Sequence, residues 1–182
     1  MNIPNSISIL RIVLIPFFIV IYIYNPFENS AYIAAGILAF SGLSDVVDGI
    51  IARKFNMVTE LGKLLDPLAD KLTLAAVCIA LIVEYPQFWV VIIISFIKDF
   101  IMGVAAFGLI GNNLWLVSSK WFGKLSTVIF YSVAIIVVGF SSMLPVSAIF
   151  VLLVITSVFM IFSFVMYIPV FVSILTKKNN NN

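Results

Sequence analysis

Val146-Ser-Ala-Ile-Phe-Val-Leu-Leu-Val-Ile-Thr-Ser-Val-Phe-Met-Ile-Phe-Ser-Phe-Val-Met-Tyr-Ile-Pro-Val-Phe-Val-Ser-Ile-Leu175 runs for thirty residues without a charge. A hydrocarbon core about 30 Å thick is crossed by about 20 apolar residues in a helix. This stretch is long enough to cross with tilt or to extend beyond the membrane. Five more apolar segments precede it, at Ile7–Tyr24, Ala31–Ile51, Leu61–Val83, Phe88–Ile110 and Leu125–Met143. Their apolar runs are continuous rather than alternating, which excludes barrel strands. Turn chemistry separates them: Asn25-Pro26, the Arg53–Thr59 stretch, Glu84-Tyr85-Pro86, Gly111-Asn112-Asn113 and Met143-Leu144-Pro145. The expected fold is all-α, a polytopic membrane protein with six transmembrane helices.

The composition agrees. Of 182 residues, 63% are hydrophobic and 10% charged, whereas a soluble domain is nearer half apolar and a quarter charged. A soluble chain of this length leaves too much surface wet to hide so much apolar side chain. Residues 1–176 are read as one transmembrane domain and 177–182 as a polar, disordered tail. No cleavable signal is expected, because Arg11 interrupts the first apolar stretch and no basic region precedes it. Pro4 is placed to start the first helix, with Arg11 at headgroup level.

Lys and Arg are absent from the loops near residues 25–30, 84–87 and 144–145. Arg53-Lys54, Lys120 with Lys124, and Lys177-Lys178 all fall on the other side. By the positive-inside rule both termini are cytoplasmic.

There is no histidine, which excludes Ser-His-Asp triads and His-ligated zinc. The single cysteine, Cys78, lies in an apolar run and reads as a small buried hydrophobe. Acid–base or metal chemistry therefore falls to the carboxylates. Asp45 and Asp48 share a face near the end of the second segment, and Asp66 and Asp70 share one in the third. An Asp at mid-membrane costs about 2.5–3.5 kcal/mol on insertion scales, and four close together repel unless a cation intervenes. Small residues continue both faces: Gly49 and Ala52 on one, Gly62, Ala69 and Thr73 on the other. This describes an acidic cavity rather than a packing surface. Two antiparallel helices joined by a short loop would bring the two faces together, and Pro67 is expected to kink the second. Oxygen ligands without His or Cys suit Mg²⁺ or Mn²⁺. Four carboxylates can hold two such ions about 3.5–4 Å apart, a clamp for in-line phosphoryl displacement. Arg53 is placed to contact a phosphate bidentately.

Asp45-x2-Asp48-Gly49-x2-Ala52-Arg53-x8-Gly62-x3-Asp66-x3-Asp70 matches each fixed position of the CDP-alcohol phosphatidyltransferase signature. The chain thus resembles that family. Asn2-Ile3-Pro4-Asn5 with Arg11, the run Ala52–Asn56, and Leu65–Lys71 are similar to its bacterial phosphatidylglycerophosphate synthase branch. The resemblance implies transfer of a phosphatidyl group from CDP-diacylglycerol to glycerol 3-phosphate with release of CMP, in phospholipid biosynthesis. It implies that Asp45, Asp48, Asp66 and Asp70 hold two divalent cations, with Asp70 also the general base. Asp48, Gly49, Ala52, Arg53, Gly62 and Asp66 would bind the donor nucleotide, the two glycines by letting it approach the backbone.

Lys98, Lys120 and Lys124 are the candidates for holding a phosphorylated acceptor. Lys98-Asp99 stands where glycerophosphate-using members carry Arg-Glu, so the arginine fork is lost. Ser119-Lys120 resembles members that make cardiolipin from phosphatidylglycerol, and other acceptors in the family stay open. The resemblance also implies a homodimer in a bacterial plasma membrane, its site facing the cytoplasm. Membrane lipids are expected partners and nucleic acid is not. A reading from a different class is a small cation transporter, whose Asp cluster would bind the transported ion.

Overall fold

The computed structural model describes residues 3–55, 59–110 and 121–179, and within these not every side chain. Six α-helices run in order among the described residues. They are α1 (Ile3–Tyr24), α2 (Ser30–Lys54), α3 (Glu60–Glu84), α4 (Trp89–Ile110), α5 (Trp121–Phe140) and α6 (Val146–Asn179). A short 3₁₀ turn, Pro86–Phe88, leads into α4. The helices match the six apolar segments in number and order. The first begins four residues earlier than its apolar run, at Ile3. The fifth begins at Trp121 and ends at Phe140, ahead of the apolar limit at Met143.

Local chemistry sets several ends. Asn25 takes a left-handed backbone (φ 46°), a conformation that Asn tolerates better than most residues, and Pro26 follows it. Ser30 Oγ then accepts from Phe27 N at 2.9 Å where α2 begins. Thr59 caps α3, its Oγ1 accepting from Gly62 N at 3.0 Å. Pro16, Pro67 and Pro169 lie inside helices, and each helix continues through its proline.

Among the described residues, four helical stretches are long and apolar enough to cross a membrane: Asn5–Tyr24, Ser30–Ile51, Trp121–Phe140 and Val146–Val170. α6 shows why lipid is the solvent. Thr156, Ser157 and Ser163 are buried on its inner side, whereas Val151, Val158, Val165 and Val172 are exposed on its outer side. A helix of a water-soluble fold would have the opposite arrangement. On the inner side, Ser157 Oγ donates to Val91 O at 2.9 Å and lies 3.2 Å from Ser95 Oγ, joining α6 to α4. Such pairings bind helices together in lipid, where apolar burial no longer drives association.

The apolar core is built around Phe18, Leu38, Val77, Val137, Ile149 and Met160. Helix α1 packs against both α2 and α3, α2 against α5, and α6 against α4 and α5. The expected direct meeting of α2 with α3 gives way to a different arrangement: among the described residues α1 is the principal neighbour of both. The loop between α2 and α3 is short, yet both helices bury their inner faces on α1.

Candidate functional site

Asp45 and Asp48 sit in the last turns of α2, and Asp66 and Asp70 in the first half of α3. One side chain of α1 gathers three of them. Arg11 Nη1 donates to Asp45 Oδ1 at 2.7 Å and Nη2 to Asp48 Oδ2 at 3.2 Å. The same Nη2 lies 3.8 Å from Asp66 Oδ1. Arg11 is 1% exposed, so it is enclosed by the fold rather than held at headgroup level. Enclosing a guanidinium costs several kcal/mol unless carboxylates surround it, and here they come from two helices.

The remaining polar residues of α1 continue the pattern. Ser8 Oγ donates to Asp66 Oδ1. Asn5 Oδ1 accepts from Thr59 Oγ1 at 3.0 Å, tying the start of α1 to the cap of α3. Asn5, Ser8, Arg11, Ile15, Phe18 and Tyr22 recur at three- or four-residue spacing on one face. That face is polar in its first half and apolar in its second, and α2 and α3 fold onto it.

Asp70, one turn beyond Asp66, has other partners. Tyr131 of α5 donates its hydroxyl to Asp70 Oδ1 at 3.3 Å, and Lys71 Nζ lies 3.7 Å from Asp70 Oδ2. The carboxylate set is therefore reached from α1, α2, α3 and α5. Asp48 is buried, whereas the side chains of Asp45 and Asp66 are 45% and 38% exposed. One side of the set is sealed by protein and the other is open.

Two more residues singled out from the sequence have described surroundings. A Cβ on Gly62 would stand 2.8 Å from Asn5 Oδ1 and 3.1 Å from Thr59 Oγ1. The space this glycine leaves is thus taken by the α1–α3 junction itself. Lys124 is exposed in the first turn of α5. It lies seven residues before Tyr131, hence on the same helix face and about 10 Å along the axis. Gly49 follows Asp48 within α2. The side chains of Ala52, Arg53 and Lys98 lie outside the described residues, as does Lys120 altogether.

Among the described residues, no three acidic side chains converge closely enough to hold one ion as they stand. The donor set nevertheless suits a hard cation. Among the described side chains, four carboxylates face the charges of Arg11 and Lys71, an excess of negative charge. Arg11 engages one oxygen of each of Asp45, Asp48 and Asp66. A divalent cation is the ligand such an all-oxygen, electron-rich set favours.

Sequence reasoning gave Arg11, Ser8, Asn5 and Tyr131 no role in the site, although Arg11 and Asn5 entered the family resemblance. For the first three a signal existed, in the polar residues at i, i+3 and i+6 on an otherwise apolar helix. Tyr131 carries no comparable mark.

The CDP-alcohol phosphatidyltransferase family model matches residues 1–175. A CDP-diacylglycerol–glycerol-3-phosphate 3-phosphatidyltransferase of Wigglesworthia glossinidia brevipalpis is 36% identical over 104 residues, 56% of this chain and 57% of that protein. The enzyme of the same name from Pseudomonas fluorescens is 42% identical over 89 residues, 49% of this chain and 45% of the relative. That from Escherichia coli K12 is 32% identical over 136 residues, 69% of this chain and 70% of the relative. With the first two relatives, the matched part of the chain spans about half of their length.

Proposed function

The chain belongs to the CDP-alcohol phosphatidyltransferase family, and from that premise we propose that it transfers the phosphatidyl group of CDP-diacylglycerol to glycerol 3-phosphate, releasing CMP. The observation that carries this reading is the convergence of family-signature carboxylates from α2 and α3 on the buried end of α1, with negative charge in excess. The names of the relatives supply the donor and the acceptor. Family membership sets aside the cation-transporter reading.

In the proposed mechanism, Asp45, Asp48, Asp66 and Asp70 would hold Mg²⁺ or Mn²⁺. Bound there, two such ions would neutralise charge on the donor's pyrophosphate. Asp70 accepts the proton of the acceptor hydroxyl as that oxygen bonds to the phosphatidyl phosphorus. The bond from this phosphorus to the bridging oxygen breaks, and CMP departs with the electron pair. The Tyr131 hydroxyl orients Asp70 for this role. Asp48, Gly49, Ala52, Arg53, Gly62 and Asp66 border the nucleotide, with Arg53 on a phosphate. Lys98, Lys120 and Lys124 hold the acceptor's phosphate. The position of Lys124, on the face of α5 that carries Tyr131, supports its share of this role.

The same reading takes all six helices as membrane spans, residues 1–176 as the domain and 177–182 as its polar tail, of which residues 177–179 continue α6 rather than being disordered. Both termini and the site face the cytoplasm of a bacterial plasma membrane, and the protein acts as a homodimer. The absence of Lys and Arg from the loops on one side supports this orientation.

A second acceptor has an observation of its own. Lys98-Asp99 stands where glycerophosphate-using members carry Arg-Glu, and Ser119-Lys120 resembles cardiolipin-forming members, which use phosphatidylglycerol. Purified protein given labelled CDP-diacylglycerol with each acceptor separates the two. Phosphatidylglycerol phosphate is the expected product; cardiolipin alone would refute glycerol 3-phosphate as acceptor. Asp70→Asn is expected to abolish CMP release while the protein stays folded and inserted. Undiminished turnover would remove Asp70 from the role of base.

A further inference from the structure

A guanidinium stays protonated in proteins, so Arg11 places a permanent positive charge among the carboxylates. Its two terminal nitrogens reach Asp45, Asp48 and Asp66, from two helices. Its Nε, out of contact with solvent, has no hydrogen-bond partner among the described residues. Among the described residues, the contacts that hold the group are those to the acidic set.

We propose that Arg11 is a positioning residue that serves as the internal counter-charge of the carboxylate set and holds down its affinity for divalent cations. The inference rests on the reading of these aspartates as cation ligands. A fixed positive charge bonded to the same oxygens repels an arriving cation and competes for lone pairs. Four carboxylates without it would bind divalent ions more tightly and exchange them more slowly between turnovers. A purely structural role predicts the opposite sign. If Arg11 only tied α1 to α2 and α3, its loss would loosen the ligands and weaken cation binding.

The sign is read by titrating the full chain, purified in detergent micelles, with Mn²⁺ and following free Mn²⁺ by electron paramagnetic resonance, without substrate. Arg11→Gln is expected to bind Mn²⁺ roughly tenfold or more tightly than the parent. Arg11→Lys, which keeps the charge without the fork, is expected to stay within about threefold of the parent. Equal or weaker binding by folded Arg11→Gln overturns the proposal. If the glutamine variant fails to fold, the lysine variant decides. Should it bind about tenfold more weakly, or not fold either, the site needs the geometry of the fork and not its charge, and the proposal falls. A parent protein that binds no Mn²⁺ refutes the cation reading itself, and this inference with it.

Discussion

Gly62→Ala tests whether this glycine serves the α1–α3 junction. The added Cβ would lie 2.8 Å from Asn5 Oδ1 and 3.1 Å from Thr59 Oγ1. Both are side-chain ends, but neither is free to swing. Asn5 is 5% exposed, its Oδ1 accepts from Thr59 Oγ1, and that same Oγ1 caps α3 through Gly62 N. Displacing them loses the cap, about 1 kcal/mol, and the Asn5–Thr59 bond, about 1 kcal/mol more. Against this, alanine is the better helix former by up to ~1 kcal/mol. The losses win, for a net destabilisation of about 1 kcal/mol by this reckoning. Denaturant titration of the purified protein in mixed micelles measures it. Asn5→Ala removes the obstructing oxygen, so in that background Gly62→Ala is expected to be neutral or stabilising. An equal loss in both backgrounds would refute a clash with Asn5 as the cause.

Tyr131→Phe removes the hydroxyl that donates to Asp70 Oδ1 at 3.3 Å. If the bond orients the base, turnover falls about threefold to tenfold, equivalent to ~1 kcal/mol; unchanged turnover means that it does not. Gly139→Leu acts far from the acidic set. A Cβ there would already stand 2.9 Å from Ala35 Cβ, so larger side chains force α2 and α5 apart. A loss of about 1–3 kcal/mol is expected in the same micelle titration, and an unshifted midpoint would refute the close approach of these helices.

Much of the fold was legible because lipid imposes a simple rule on sequence. Backbone groups in hydrocarbon must bond within their own segment, so each apolar run of sufficient length announces a helix and each Asn-Pro or Glu-Tyr-Pro interrupts one. The number and order of the helices followed directly, and so did the all-α class. The candidate ligands were legible for a related reason. A carboxylate in an apolar helix is costly, and the spacing of Asp45, Asp48, Asp66 and Asp70 marks their shared faces without any knowledge of neighbours.

What sequence could not decide was the partner of those faces. Adjacent segments and a short loop pointed to α2 against α3, whereas both helices pack on α1. Arg11 shows the consequence. Taken along the chain it is a lone charge near one end of an apolar helix, where a position at the headgroups costs least. Only the fold brings Asp45, Asp48 and Asp66 within 4 Å of it and makes burial the lower-energy place. Tyr131 is similar, since an aromatic hydroxyl in an apolar run has no visible partner until the fold brings it to Asp70. The sequence by itself determined the solvent, the helices and the chemistry available, because those follow from residue type and spacing. Tertiary structure alone decided which charges meet, because ion pairing depends on distance and burial between segments remote along the chain.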